Sequence, residues 1–206
     1  MVRNGEVAIN LSDIQTGINW LRPSTQGGIV LSDSLDYDEQ RSMQAFRDGK
    51  VLFMRNWPVA YRDLTESIGD DGKPATSPVK FDVVPLPGKS VLGGENLAIA
   101  ANSIKPKAAQ ALIEFLTDAR SQQILFERGG FAATREIVYR DAEVREKKYK
   151  YADTLLQAIQ LARPRPMTPC YRQFSEAFQT AVAQALRDAK PLPEDFADSM
   201  NAALKC

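Results

Sequence analysis

The sequence predicts an α/β fold with short strands in the first half of the chain and longer helices in the second. Short apolar runs at Val51–Met54 and Leu97–Ala101 end at proline or polar residues, as strands do. The stretch Gln173–Ala189 places Phe174 and Phe178 on one face of a helix. The sequence contains no internal repeat and no regular alternation of strands and helices, so neither a repeat architecture nor a regular βαβ succession is expected.

Length and charge place the chain among ordinary globular proteins. Its 206 residues can bury a sizeable core, as one large domain or two small ones. Lysine and arginine together number 26, as do aspartate and glutamate. This neutral net charge does not indicate binding to nucleic acid or to an anionic membrane. No apolar run approaches the roughly 20 residues that span a bilayer. The N-terminal stretch MVRNGEVAIN lacks an apolar core, and we therefore expect no signal peptide in this chain.

The residue types available restrict catalytic and metal chemistry. The chain has no histidine, which excludes the Ser–His and Cys–His nucleophile arrangements and the commonest metal ligand. Cys170 and Cys206 have neither a metal nor a redox spacing, and they form either one disulfide or two free thiols. We expect no cofactor and no metal site.

Capping residues, glycines and prolines divide the first half of the chain into short elements, because they start, stop or break regular structure. We first expect a helix that Ser12 caps and that ends before Pro23, followed by a loop at Ser24–Gly28. A second helix follows Asp36 or Asp38 and stops at Gly49, and the strand Val51–Met54 comes next. The remaining elements are a helical turn with Tyr61 and Leu64, a loop at Ser67–Pro78, and a strand with Phe81 and Val83 that ends at Pro85. Trp20 lies beside Leu21 on the first helix and is expected to pack inside.

In the stretch Leu92–Gly130, glycine, proline and aspartate residues indicate where the elements begin and end. A glycine turn leads into the strand Leu97–Ala101, and Pro106 opens a helix because its missing N–H would have no helical partner. Asp118 can cap a second helix, which Gly129 can stop.

Three further helices follow from apolar residues at helical spacing. They are Ala152–Leu161, Gln173–Ala189, and a final helix that Pro193 opens, with Phe196, Met200 and Leu204 facing inward.

The order of elements in Leu92–Gly130 resembles the hinge-proximal segment of bacterial extracellular solute-binding proteins of the sugar-binding type (family 1, trehalose/maltose-like), the receptors of ABC importers. Three more stretches are similar to the same family: FRDGKVLFMRNWPVAYRDL at Phe46–Leu64, VVPLPG at Val83–Gly88, and PRPMTPCYRQFSEAFQTAVAQAL at Pro164–Leu186. With the final helix, the resemblance covers nearly all of residues 35–206.

The resemblance implies a periplasmic-binding-protein-like fold of type II, truncated to the helix-rich C-terminal lobe and a returning segment of the N-terminal lobe. Residues 1–87 would form the first part of the C-terminal lobe, residues 88–130 would return to the N-terminal lobe, and residues 131–206 would complete the C-terminal lobe. The chain would then be a C-terminal portion of such a protein. We expect Leu112, Ile113, Phe115 and Leu116 to form an exposed apolar patch, because most of their packing partners would be missing.

The same resemblance implies a non-catalytic function, the binding of a carbohydrate such as trehalose or maltose for an ABC importer. The implied partners are the sugar and the membrane permease subunits, with no nucleic acid. A domain-swapped homodimer is a further partner hypothesis for such a fragment, since a second copy could supply missing packing. The intact protein would be periplasmic, or extracytoplasmic and lipid-anchored.

A sugar site needs an aromatic platform for the C–H face of the ring and a few planar polar groups for its hydroxyls. The resemblance makes Trp57 the platform. Gly93 and Gly94 would let the backbone approach the ligand and donate N–H groups, with Glu95 as an acceptor. The remaining candidates are Tyr171 and Arg172 at the start of the long helix, and Arg55 and Asn56 beside the platform.

Each candidate also has an ordinary structural interpretation. Trp57 could be a core residue that caps the strand Val51–Met54, and the glycines could form a plain turn into the strand at Leu97. Tyr171 and Arg172 could be an ordinary surface pair. Two other functions stay open on the residues alone. One is a glycosidase that uses Asp36/Asp38 or Asp70/Asp71 as paired carboxylates, and the other is a ligand-free interaction module or gene remnant.

Overall fold

The computed structural model describes residues 2–3, 6–7, 10–26, 30–66, 79–86, 88–144 and 151–205. The described residues form an antiparallel pair of short strands, one 3-10 turn and nine α-helices. In chain order these are β1 (Val2–Arg3), β2 (Glu6–Val7), α1 (Leu11–Gln26), the turn Ser34–Asp36, α2 (Glu39–Arg47), α3 (Val59–Thr65), α4 (Pro106–Thr117), α5 (Ala119–Gly129), α6 (Glu136–Arg140), α7 (Ala152–Leu161), α8 (Tyr171–Arg187) and α9 (Phe196–Ala203). Within these ranges no helix is both long and apolar enough to cross a bilayer.

The chain divides into two compact units. Unit 1 combines Met1–Asp38 with Pro164–Cys206, and unit 2 is the continuous stretch Glu39–Arg163. The predicted loop Ser67–Pro78 lies outside the described residues.

Unit 1 is built on α1, α8 and α9, whose apolar faces meet in one core. The fully buried members are Ile18, Phe174, Ala185, Leu192, Phe196 and Met200. The predicted helix Gln173–Ala189 is confirmed, but it begins two residues earlier, at Tyr171. The final helix begins at Phe196 and not at Pro193, which instead accepts a turn hydrogen bond of 3.0 Å from the Phe196 N–H.

The first helix differs from its prediction at both ends. Asn10, not Ser12, caps α1, since its side-chain oxygen accepts from the Ser12 N–H at 3.1 Å. The helix also continues through Pro23 to Gln26, so the predicted end before Pro23 and the loop at Ser24 are wrong. Because the proline ring fixes φ near the helical value, a helix can continue at the cost of one backbone hydrogen bond.

Trp20 does not pack inside, because it is 80% exposed. The inward face of α1 carries Leu11, Ile14 and Ile18 at spacings of three and four residues. Trp20 follows Ile18 by two positions, which is a rotation of about 200° around the helix axis. The side chain therefore lies on the outward face.

Cys170, directly before α8, is buried and disulfide-bonded. Of the two states that the sequence left open for this residue, the structure has the disulfide. Cys206, the other cysteine of the chain, lies outside the described residues.

Unit 2 packs α3, α5, α6 and α7 around a second core, and aromatic rings dominate it. Its buried members are Phe126, Ala133, Val138, Tyr139, Val144, Tyr151 and Ala152. The predicted helix Ala152–Leu161 is confirmed as α7. The rings of Phe126 and Tyr139 meet edge to face with centroids 5.3 Å apart, a favoured geometry for aromatic pairs.

Helices α4 and α5 begin where the sequence predicts. Pro106 stands at the first helical position of α4, and the Asp118 carboxylate caps α5 by accepting from the Ser121 N–H at 2.8 Å. At the far end of α5, Gly130 and not Gly129 adopts the left-handed conformation, with φ of 70°.

The three predicted strands of unit 2 do not form. Val51–Met54, the stretch around Phe81 and Val83, and Leu97–Ala101 are irregular in the structure. Leu52 and Phe53 are 88% and 86% exposed. A strand needs a neighbour for its backbone hydrogen bonds, and within the described part of unit 2 the recorded bridge is the single parallel pair Val91–Arg163.

The predicted apolar patch on α4 is present in its outer half. Leu112 and Phe115 are 56% and 63% exposed, whereas Ile113 and Leu116 are half-buried. None of the residues of α4 is fully buried.

Candidate functional site

The position of Trp57 is set by the helices on either side of it. Helix α2 ends at Arg47, Gly49 reverses the chain with φ of 70°, and an irregular stretch leads to Trp57. Pro58 then starts α3, and the Trp57 carbonyl accepts from the Ala60 N–H at 3.0 Å. Since Ala60 and Leu64 are buried, α3 is anchored in unit 2 and carries Trp57 at its N-terminal end.

Trp57 is 47% exposed, and a hydrogen bond orients its indole. Its Nε1–H donates to the Glu39 carboxylate at 2.9 Å, and its main-chain N–H donates to Asn56 Oδ1 at 2.8 Å. An indole with one end bonded and much of its surface in solvent is an available stacking platform. The interpretation of Trp57 as a core residue is not supported, because nearly half of its surface is exposed.

Gly93 lies against the same indole. The segment that precedes it is held by two main-chain hydrogen bonds of 2.8 Å, from Leu92 N–H to the Arg163 carbonyl and from Arg163 N–H to the Ser90 carbonyl. A Cβ atom added to Gly93 would lie 2.8 Å from Cζ3 and 3.1 Å from Cη2 of Trp57. Glycine is therefore the residue that permits this close approach.

Gly94 and Glu95 follow Gly93 directly in the chain. Gly94 has φ of 112°, a conformation that residues with a side chain rarely adopt. In the part of the chain that the structure describes, the Gly93 and Gly94 N–H groups donate to no protein acceptor, and the exposed Glu95 carboxylate has no partner. These groups are free to meet the hydroxyls of a ligand.

Arg55 and Asn56 differ in what they can do for a ligand. The Asn56 amide is engaged internally, since Nδ2 donates to the Glu39 carbonyl at 2.9 Å and to Met54 Sδ at 3.4 Å. Asn56 is thus a residue that fixes the chain around Trp57. Arg55 is exposed, and its guanidinium has no hydrogen bond or ion pair among the described residues.

Tyr171 and Arg172 lie in unit 1, at the start of α8. The Tyr171 hydroxyl accepts from Arg165 Nη1 at 3.1 Å, and its half-buried ring lies beside Phe174. Arg172 donates to Glu176 one turn later at 2.8 Å, and this hydrogen bond raises the pKa of the guanidinium. The ion pair with Glu176 is an ordinary reason for an arginine at this position, and it fits the interpretation of a surface residue.

The structure thus brings Trp57, Asn56 and Gly93 together in unit 2, and it adds Glu39, which the sequence did not reveal. Glu39 is the first residue of α2, where an acidic side chain is expected for its interaction with the helix dipole. That position gives no sequence signal for a bond to Trp57.

Of the acidic residues considered for glycosidase chemistry, Asp36 is engaged in an ion pair with Arg187. Asp36 accepts from Arg187 Nη2 at 2.6 Å, and that hydrogen bond raises the pKa of Arg187. Asp70 and Asp71 lie outside the described residues. Among the residues that are described, no three of the types Cys, Asp and Glu cluster in a way that could hold a metal ion.

Comparison with known proteins decides the family. The family model described as bacterial extracellular solute-binding protein matches residues 14–151, which is more than half of the chain. The chain belongs to this family. Its members are solute-binding proteins and not a class of enzymes, and their extracellular description implies a periplasmic or extracytoplasmic location.

Two relatives agree with the family. A probable ABC transporter-binding protein of Deinococcus radiodurans is 33% identical over 161 residues, which cover 73% of this chain and 36% of that protein. The maltose-bound structure of T. maritima MalE3 matches with a TM-score of 0.76 at 25% identity, over 100% of this chain and 53% of that one. The chain therefore has the periplasmic-binding-protein fold, and it spans about a third to a half of the length of these relatives.

Proposed function

We propose that this solute-binding chain contributes a carbohydrate-binding surface to an ABC importer, with a disaccharide such as trehalose or maltose as ligand. The observation that carries the proposal is the half-exposed indole of Trp57, bonded to Glu39 and backed by Gly93. The matching MalE3 structure binds maltose, which supports a sugar as the class of solute.

The surroundings of Trp57 provide the polar groups that a sugar requires. The Gly93 and Gly94 N–H groups can donate to hydroxyls, the Glu95 carboxylate can accept, and Arg55 can donate a charge-assisted hydrogen bond. A stacking ring with a few polar groups around it is the usual composition of a small carbohydrate site. Tyr171 and Arg172, which lie in unit 1, stay separate candidates for ligand binding.

The partners proposed with this function are the sugar and the permease subunits of the importer. A second copy of the chain, exchanged or docked, stays a hypothesis that rests on the exposed face of α4. The division of residues 1–87, 88–130 and 131–206 between two lobes likewise stays a prediction.

A glycosidase is the less favoured alternative, because Asp36 is held by Arg187 in an ion pair that needs no catalytic explanation. An interaction module without a ligand is the other alternative. The half-exposed Trp57 with unpaired polar groups beside it favours a binding surface over such a module.

A fluorescence titration of the 206-residue chain tests the proposed function. The variant Trp20→Phe serves as background, since it leaves Trp57 as the only tryptophan, and far-UV circular dichroism checks its folding. The ligands are trehalose, maltose, sucrose and a glycerol phosphodiester, each taken to about 50 mM, which detects even a Kd of about 10 mM.

We expect a saturable change with at least one sugar. Calorimetry with the same ligands should show no binding by Trp57→Ala, because this variant lacks the stacking ring. The absence of a response to every ligand by the folded chain would contradict the proposal and favour the ligand-free alternative. Hydrolysis of a disaccharide during the titration would instead support the glycosidase.

A further inference from the structure

The indole of Trp57 is held at both of its ends. At the pyrrole end, Nε1–H donates to Glu39 Oε1 at 2.9 Å. At the opposite end, Cζ3 and Cη2 lie so close to Gly93 that a Cβ atom there would come within 2.8 Å and 3.1 Å of them. A flat side chain fixed at two distant points has little freedom left, and it is ordered before a ligand arrives.

The bond to Glu39 also decides which contacts the exposed surface of Trp57 can make. Nε1 is the only polar atom of a tryptophan side chain, and here it is already paired. The exposed surface of this side chain can therefore offer a ligand only carbon and the π-system. A partner for such a surface must present an apolar C–H face and needs no hydrogen bond from the indole.

We propose that Glu39 is a positioning residue that, with Gly93, fixes Trp57 as a platform selective for pyranose rings over acyclic polyols. This inference rests on the proposed function, which it narrows to sugars with a C–H face. An acyclic polyol carries the same hydroxyls as a sugar but lacks a rigid apolar face, so it gains little from this platform. Neighbouring polar groups alone would bind both kinds of molecule equally.

The orientation of the indole can be measured without any ligand. In Trp20→Phe chains labelled with ¹⁵N, the indole N–H of Trp57 gives a single NMR signal, whose chemical shift and hydrogen exchange report the bond to Glu39. We expect Glu39→Ala to shift this signal and to speed its exchange about tenfold. Glu39→Gln should keep both properties near those of the parent, because an amide oxygen still accepts a hydrogen bond.

Gly88 is a matched control for a substitution at Gly93. A Cβ atom at Gly93 meets the indole, whereas at Gly88 it meets nothing within 4 Å, and neither residue needs a positive φ. Gly93→Ala should therefore displace the indole signal and Gly88→Ala should not. An unchanged signal in both Glu39→Ala and Gly93→Ala would overturn the two-point fixation of Trp57.

Titration with methyl α-glucopyranoside, trehalose and glucitol tests selectivity. We expect the two pyranosides to bind and glucitol to bind at least about tenfold more weakly. Glu39→Ala should weaken pyranoside binding about tenfold, and Glu39→Gln should restore it. Equal binding of glucitol by the parent, or unchanged binding by Glu39→Ala, would overturn the proposal. If no sugar binds, both the proposed function and the proposed selectivity are wrong. The NMR signal of the indole tests the fixation of Trp57 separately, because it needs no ligand.

Discussion

Tyr139 shows how the aromatic core of unit 2 responds to pH. Its side chain is buried, its hydroxyl donates to the Ala133 carbonyl at 2.7 Å, and burial raises its pKa to about 12. An unfolded tyrosine has a pKa of about 10, so on raising the pH the unfolded chain releases this proton first. The free energy of unfolding is therefore unaffected by Tyr139 below about pH 9 and falls between about pH 10 and 12.

Tyr139→Phe should flatten the fall in melting temperature over this alkaline range. It should also lower stability at neutral pH by about 1 kcal/mol, because the bond to Ala133 is lost. The pKa of Tyr61 is also raised, by burial and by the charge of Asp82. Tyr61 is unchanged in this variant, so its part of the fall in stability at alkaline pH should remain. Melting curves recorded at several pH values provide the measurement, with Tyr171→Phe as control. Parallel profiles for Tyr139→Phe and the parent would contradict the assignment.

At the residue scale, the sequence predicted Trp57, Asn56 and Gly93 of the candidate site but not Glu39. Trp57 and Gly93 were named from a resemblance, and the structure places them in contact. Glu39 was missed, because its bond to Trp57 joins residues 18 positions apart and depends on how α2 and α3 pack. Tyr171 and Arg172 were named on the same resemblance, but their observed contacts are local ones that nearby residues explain.

At the element scale, helix ends were predicted well where a side chain or a glycine satisfies backbone groups locally. Asp118 and Pro106 are such residues, and both helices begin where these residues predict. Strands were predicted poorly, because a strand depends on a partner strand that is often distant in sequence. The apolar runs at 51–54 and 97–101 have the composition of strands but no neighbour among the described residues.

The ends of α2 and α5 offer a matched pair of glycines. Gly49 and Gly130 both have φ of 70°, so alanine at either position costs about 1 kcal/mol of backbone strain. A Cβ atom at Gly49 meets nothing within 4 Å, but at Gly130 it would lie 3.1 Å from Arg62 Cβ and 3.3 Å from Val59 Cα. Arg62 is further held there by donating to the Gly129 carbonyl at 2.9 Å.

We therefore expect Gly130→Ala to destabilise the chain by at least about 1 kcal/mol more than Gly49→Ala, because the added methyl group overpacks the contact between α3 and α5. Urea unfolding followed by circular dichroism measures both variants. Equal losses of unfolding free energy would show that α3 moves away freely, and they would contradict the packing described for Gly130.

At the scale of the whole molecule, each unit has its own core, yet unit 2 leaves many large apolar side chains in solvent. Leu52, Phe53, Leu112 and Phe115 are all more than half exposed. Single exposed apolar residues are ordinary, but several on one helix face and on neighbouring irregular segments favour association. The resemblance predicts this exposure on α4, because a C-terminal portion of such a protein would lack most packing partners for the apolar stripe.

The exposed face of α4 should make the chain self-associate and bind the dye ANS. Leu112 and Phe115 are three residues apart, so they share one face of the helix. Replacing both with glutamate should lower ANS fluorescence and shift sedimentation towards the monomer, because charge on this face opposes its burial. Lys107→Glu, at an exposed position of α4, changes the net charge by the same amount and should leave both properties unchanged. A parent that stays monomeric at high concentration would contradict self-association through this face. If Lys107→Glu acts as strongly as the double variant, then general electrostatics and not this apolar face governs association.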